Sequence, residues 1–326
     1  MRHTWGTAAL VGLLLMFVAS FVMAGEPGAA GKAGEKAAAP KAAEKKAPVE
    51  AKADEVAKVT EAMPTAPIVK PAKPRKLLIF SLTKGFPHSS VSIGGKAFEI
   101  MGAKTGAWES VNTVDPAYFA PDKIKEFDAI MFNNTTGRDL IPDEGHRQSI
   151  LDFVKSGKGI AGIHSACDAL YEKWPEYGEM MGGFFQGHPF RKISVKLDDP
   201  TSPLMAMFEG KGFEISDEIY TFKDQYSREK VHVLSSIDWE NANIQEGGNR
   251  ADNDYALSWI REYGKGRVFY CAFGHDDQIW WNPAILRHYL AGIQYAAGDL
   301  KADATPSAKV KIKPVPGPDL RQQPKK

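Results

Sequence analysis

Three short apolar runs, residues 76–81 (KLLIFS), 128–133 (DAIMFN) and 158–163 (KGIAGI), are separated by helix-patterned stretches. No other feature constrains the fold as much. Each run is too short for a buried helix and ends in Gly, Pro or polar residues, as strands covered on both faces do. Between them, residues 91–104 and 143–155 carry helical periodicity; Ile150, Leu151 and Val154 form an apolar stripe, and Pro142 with Asp143 marks a helix start. Alternating strand and helix implies a mainly parallel sheet with helices on both faces. Further on the pattern changes. Residues 191–197, 213–222 and 231–237 alternate apolar and polar as half-buried strands do, and 255–263, the turn 264–267 and 268–273 read as a hairpin. Pro283 opens a final helix that includes residues 285–297. The expected fold is an α/β three-layer α/β/α sandwich over residues 75–300, its parallel sheet continued by an antiparallel extension.

The ends of the chain read differently. A short basic start, Met1-Arg2-His3, precedes an apolar run over residues 8–23 with small residues around Ala24, the layout of a signal peptide. Cleavage after Ala24 would place the mature protein in the periplasm or outside the cell. No later run is long and apolar enough to suggest a stable membrane span. Residues 25–74 are dominated by Ala, Lys, Glu and Pro, which predicts a disordered linker, with helix-forming composition over residues 49–63. Residues 301–326, rich in Pro and Lys, read as a disordered basic tail that anionic envelope polymers would attract.

Net charge excludes one class of partner. Residues 77–300 hold 22 Lys and Arg against 31 Asp and Glu, while 301–326 hold 7 against 2. Phosphate binding needs cations clustered on the folded surface, so nucleic acid is not an expected ligand. Cys167 and Cys271 are too few for a disulfide framework, although an oxidising compartment would allow the two to pair.

In open α/β sheets, ligands collect beyond the carboxyl ends of the parallel strands. Three such ends carry histidine: His88 in the loop after the first run, His164 directly after the third, and His275 after the hairpin. His188 lies in a Gly- and Phe-rich loop over residues 182–189. Imidazole serves both as acid/base and as metal ligand, so these four histidines are the candidate ligands of a divalent metal, zinc or similar. His146, His232 and His288 sit within elements and are read as structural. Residues 162–166 (GIHSA) have the form of a strand-turn-helix elbow with His164 at its tip and Ser165 one step beyond. On one strand face Glu218 and Tyr220 reach the same side. His164, His275 and Glu218 are the expected catalytic set, Glu218 as the proton-transfer residue. His88, Ser165, Tyr220 and Trp280 are expected to bind substrate. Phe86, Tyr171, Trp174, Tyr177, Phe184, Phe185 and Trp281 surround these loops and offer faces on which a sugar ring can stack.

Thr83-Lys-Gly-Phe-Pro-His88, Gly162-Ile-His-Ser-Ala166, Gly187-His-Pro189, Asp217-Glu-Ile-Tyr220, Ser258-Trp259, Gly264-Lys-Gly-Arg-Val-Phe-Tyr270 and Gly274-His275, taken in order, resemble the ThuA-like, or trehalose-utilization, family. The resemblance covers residues 76–297. It implies a flavodoxin-like fold of the class I glutamine amidotransferase type and a carbohydrate substrate, a disaccharide or its keto form. Amidotransferases of that fold carry a nucleophilic Cys at the elbow tip. Here the tip is His164, so glutamine hydrolysis is not expected. The leading expectation is therefore an exported enzyme acting on a small carbohydrate through a histidine-rich, metal-binding pocket. The alternatives are a saccharide-binding or scaffold module without catalysis, and a thiol amidase or peptidase using Cys167 at a helix start.

Overall fold

The computed structural model describes residues 47–321, apart from residues 224, 243, 245–247 and 249 and the side chain of residue 172. The segment read as a signal, residues 1–24, lies outside the described residues. In chain order the elements are α1 (Ala53–Ala62), β1 (Lys76–Phe80), α2 (Ser90–Thr105), β2 (Glu109–Thr113), α3 (Pro121–Ile124), β3 (Ala129–Asn133), α4 (Glu144–Lys155), β4 (Gly159–Ile163) and α5 (Pro175–Met181). They continue with β5 (Phe185–Leu197), β6 (Phe213–Phe222), β7 (His232–Ile237), β8 (Ala256–Tyr263), β9 (Gly266–Cys271) and α6 (Pro283–Ala296). Among the described residues the strands form one nine-stranded sheet in the order β2-β1-β3-β4-β9-β8-β7-β5-β6.

The first five strands of that order are parallel. The other four extend the sheet antiparallel. Side chains alternate across the parallel part. Leu77 and Ile79 of β1 join a core with Phe98 of α2 and Leu290 of α6, while Leu78 and Phe80 join the opposite core with Ile150 and Val154 of α4. Helices therefore cover both faces, and the strand order of the parallel part is the flavodoxin-like one. Local chemistry sets the helix starts. Asp143 accepts the His146 N–H at 2.8 Å, and the Asn282 side chain accepts from Ala284 and Ile285 just beside Pro283.

Where β4 passes under α6, glycine is required. A Cβ on Gly159 would lie 2.0 Å from the Ala296 carbonyl oxygen. Gly159→Ala is expected to destabilise the fold by about 1–3 kcal/mol, as overpacking against backbone does. The denaturant midpoint measures this, and an unchanged midpoint would contradict the packing.

Both flanks differ from the sequence expectation. From residue 47 the stretch read as a disordered linker is packed on the domain: Val59 and Met63 are buried in the core beside α2. Gln294 accepts the N–H groups of Ile68 and Val69 and donates to Val69 O. Arg75 pairs with Asp299 and Asp128. At the other end, residues 301–321 lie along the antiparallel half. Val315 and Leu197 exchange backbone hydrogen bonds, Gly317 N–H donates to Asp238, and Leu320 is buried. Composition misses these flanks because their anchors are a few apolar residues plus backbone groups satisfied by polar side chains of the domain.

His232, read as structural, fastens the second flank. Its ring is buried between the Asp199 carboxylate at 3.0 Å and the Thr305 carbonyl at 2.6 Å. Both partners are acceptors, so the imidazolium satisfies both. Burial works against the charge, but Asp199 and the Thr305 carbonyl raise the His232 pKa above 6.5. Burial likewise works to raise Asp199, and His232 with Thr201 holds it below 3.8. The His232 contribution is thus complete below pH 6.5 and disappears as pH rises through the higher folded value. The Asp199 contribution is complete above pH 3.8 and disappears as pH falls through its lower folded value. Amide exchange at residues 305–310 is expected to quicken as pH rises above that window, beyond the intrinsic base-catalysed increase. His232→Gln is expected to remove this extra pH dependence, and equal profiles for the two proteins would contradict it.

Candidate metal centre at the carboxyl ends of the strands

The loop after β1, the turn after β4 and the turn after β9 converge, and β6 comes to meet them. One donor atom from each of His88, His164, Glu218 and His275 lies within 4.8 Å of all the others. The backbone builds this convergence in three ways. After β4 the chain turns sharply at His164, whose φ of 46° is a left-handed conformation that side chains seldom adopt. Tyr270 donates to the His164 carbonyl at 2.6 Å and fixes the turn. Asp217, fully buried on β6, accepts the N–H groups of Gly274 at 2.7 Å, Asp276 at 2.8 Å and His275 at 3.4 Å. Its carboxylate therefore sets the turn that presents His275, while the next residue, Glu218, enters the cluster.

The histidine rings are oriented by their second nitrogens. His164 Nδ1 is 2.8 Å from the Ala272 carbonyl, which can only accept, so Nδ1 carries a proton and Nε2 is the nitrogen turned toward the cluster. That Nε2 and His275 Nδ1 are buried and make no hydrogen bond of good geometry. Both face Glu218 Oε2, at 3.5 and 3.1 Å, and this carboxylate contact raises the His275 pKa above its ordinary value. Ser165 Oγ is 3.4 Å from His88 Nδ1. Burial, reinforced by the neighbouring His164 and His275 rings, pushes His88 down to about 3, so it is a neutral imidazole at physiological pH. Burial works to raise Glu218, yet His164 and His275 hold its carboxyl well below the usual range. Two imidazole nitrogens converging on one ionised carboxylate, with a neutral third ring beside them, form a donor set suited to zinc or a similar divalent cation.

His88, His164 and His275 thus come together as expected. His188 stays outside the group: its ring is half exposed and touches Glu218 Oε1 at 3.4 Å from the rim. Glu218 takes the fourth place instead, beside the two rings that hold its carboxyl ionised. Tyr220 is buried with its ring 4.1 Å from His164. Trp280 is not open to substrate. It is fully buried against Phe98 and Tyr289, with its indole N–H on Gly274 O.

Cys167 is also buried, and burial pushes its thiol well up, which removes the thiolate an amidase needs. Cys167 and Cys271 are both free thiols. Phe86, by contrast, is 63% exposed. Its ring lies beside His88 and near-parallel to His275 at the mouth of the cluster.

A cleft of about 730 Å³ opens next to the cluster, lined by Lys84, Arg138, Tyr171, Phe185, Lys223 and the half-buried Asp168. Phe185 joins the two spaces, because its ring also packs on Tyr220 at 4.3 Å and on His188 at 5.8 Å. Asp168 went unnoticed in the sequence, although it stands four residues after His164 in the same turn. Burial first, and then the charge of Glu218, push its carboxyl up to about 7 against the opposing pull of Lys223.

Two solved structures share this fold. A putative ThuA-like protein from Bacteroides uniformis ATCC 8492 is 19% identical, with a TM-score of 0.56 over 76% of this chain and 98% of its own. One from Parabacteroides merdae ATCC 43184 is 17% identical, with a TM-score of 0.52 over 71% of this chain and 93% of its own. Among curated proteins none matches. No helix among the described residues is long and apolar enough to cross a membrane. The family model described as ThuA, trehalose utilisation, matches residues 76–296, which span every described strand and all four residues of the cluster, and the chain belongs to that family.

Proposed function

We propose that this protein is an exported enzyme of carbohydrate metabolism that acts on a disaccharide or its keto form, with a divalent cation held by His88, His164, His275 and Glu218. The observation that carries the reading is the pair of buried imidazole nitrogens, on His164 and His275, that make no hydrogen bond of good geometry and face one carboxylate. Burying such groups without a well-placed partner is costly, and a cation satisfies both. Bound there, it would supply Lewis acidity toward a sugar carbonyl or a water molecule.

The remaining roles belong to the chain. The Ala272 carbonyl holds the His164 tautomer, Asp217 holds the His275 turn, and Glu218 keeps the site anionic. Phe86 offers an exposed ring to the apolar face of a sugar beside the cluster. The sugar class follows from the family's description, and export from the signal-like residues 1–24.

Metal analysis of the purified protein, combined with turnover of trehalose and its ring-oxidised keto form, tests the proposal. One equivalent of metal per chain is expected, and a chelator should remove metal and turnover together, with both restored on adding zinc. Turnover that persists without metal would count against the cation. Sugar binding without turnover in the loaded protein would favour a binding module.

A further inference from the structure

Resting on that reading, we infer that Asp168 is the proton-transfer residue of the site and that the adjoining cleft receives the sugar ring beyond the bond to be cleaved. The argument begins with how Asp168 is held. Its N–H donates to Ser165 O at 2.8 Å and its carbonyl accepts from Gly137 N at 3.2 Å, so its backbone is fixed on both sides by the elbow and the loop after β3. Its side chain has no such support. The carboxylate is half buried, lines the cleft, and accepts no hydrogen bond among the described residues. A carboxylate left this way is disfavoured and the carboxylic acid favoured.

The charged and titratable groups around it act in the same sense. Glu218 on β6, an ionised carboxylate, opposes a second negative charge, whereas Lys223 at the end of the same hairpin partly offsets it. Tyr220 and Cys167 are the remaining titratable neighbours; burial, with Asp168 and Glu218, keeps the phenol neutral, and burial, with Asp168, does the same for the thiol. Lys84, Arg138 and Asp139 complete the charged lining of the cleft. The two carboxyl groups are thus held in different states, Glu218 as the ion and Asp168 as the acid, so Asp168 is the one with a proton to give.

Position supplies the rest. The loop that carries Phe86 and His88 into the cluster carries Lys84 and Gly85 into the cleft, and Phe185 borders both. In the assigned pose, a two-ring sugar with one ring beside the cluster would lay its other ring along Tyr171 and Phe185 in the cleft that Asp168 lines, bringing the glycosidic oxygen toward Asp168. In the step assigned here, the C1–O bond breaks with its electron pair going to the glycosidic oxygen, and Asp168 gives that oxygen its proton. Water adds its hydroxyl to C1, and its remaining proton restores the Asp168 acid. The sum is a disaccharide and water giving two monosaccharides.

Leaving-group dependence tests this directly. The substrates are trehalose or its keto form, whichever the wild type cleaves, and the 4-nitrophenyl glycoside of the same ring, whose leaving group needs no proton. Asp168→Asn is expected to lower kcat on the disaccharide by about 10²–10⁴-fold. The nitrophenyl substrate should change less than tenfold, with bound metal unchanged. Wild-type kcat/KM on the disaccharide should fall on the alkaline side, where the Asp168 acid ionises, and this limb should vanish in the variant. An equal loss on both substrates, or no loss on either, would overturn the role of Asp168 while leaving the metal site standing. A metal-loaded wild type inert toward every glycoside would overturn the enzymatic reading itself, and this inference with it.

Discussion

His164→Asn is expected to leave the protein folded and to weaken cation binding by at least a hundredfold. Asparagine tolerates the left-handed conformation that His164 adopts, and its amide nitrogen falls where Nδ1 now donates to Ala272 O. The turn and its hydrogen bond therefore survive the exchange. What disappears is Nε2, one of the two buried nitrogens that face Glu218. Changing a residue that merely orients a metal ligand typically costs about 10–100-fold in affinity, so loss of the ligand itself should cost no less. Zinc titration of the metal-free protein measures the loss, and thermal unfolding of the same sample should show Tm lowered by no more than ~4 °C, the shift for about 1 kcal/mol in a domain of this size. Wild-type affinity in the folded variant would remove His164 from the ligand set.

Asp217→Ala is expected to be the most damaging single change to the site's framework. The carboxylate accepts N–H groups from three successive residues of the turn that presents His275. Alanine leaves those donors, the buried Gly274 N–H and the partly buried His275 and Asp276 N–H groups, without this partner. Hydrogen bonds to charged groups contribute about 1.5–3 kcal/mol each, and the two short ones together put the loss at roughly 3 kcal/mol or more. Tm should then fall by about 6–12 °C. Zinc affinity should fall as well, because His275 loses the turn that holds it. A variant with wild-type Tm and wild-type affinity would show that the turn is held by other contacts.

Much of this was legible in the sequence, for identifiable reasons. The parallel strands are short, continuous apolar runs, and a strand buried on both faces has no other pattern available to it. β2 was missed because ESVNT at the sheet edge is polar and only partly buried, so no hydrophobic period marks it. His88, His164 and His275 could be grouped because the fold places every parallel strand's carboxyl end on one side. Glu218 as fourth member was harder to see, since β6 meets those ends only through the antiparallel extension and the turn bonded to Asp217. His188 looked equivalent from its loop, but register irregularities in β5 around Gly187 and Phe190 leave its ring at the rim. Trp280 illustrates the opposite error. An aromatic next to a candidate site reads as a binding surface, whereas its indole fills the core under α2 and α6. Asp168 carried no sequence signal of its own, because what distinguishes it is a half-buried carboxylate without a partner beside an ionised one.

The central claim is that His88, His164, His275 and Glu218 hold one cation. The measurement that addresses it most directly is an anomalous difference map, collected at the zinc edge, from a crystal of the protein grown with zinc. A single strong peak is expected among the four side chains, with the ligand atoms drawn in to about 2.0–2.2 Å. A well-ordered site in which these side chains show no peak at saturating zinc would contradict the account.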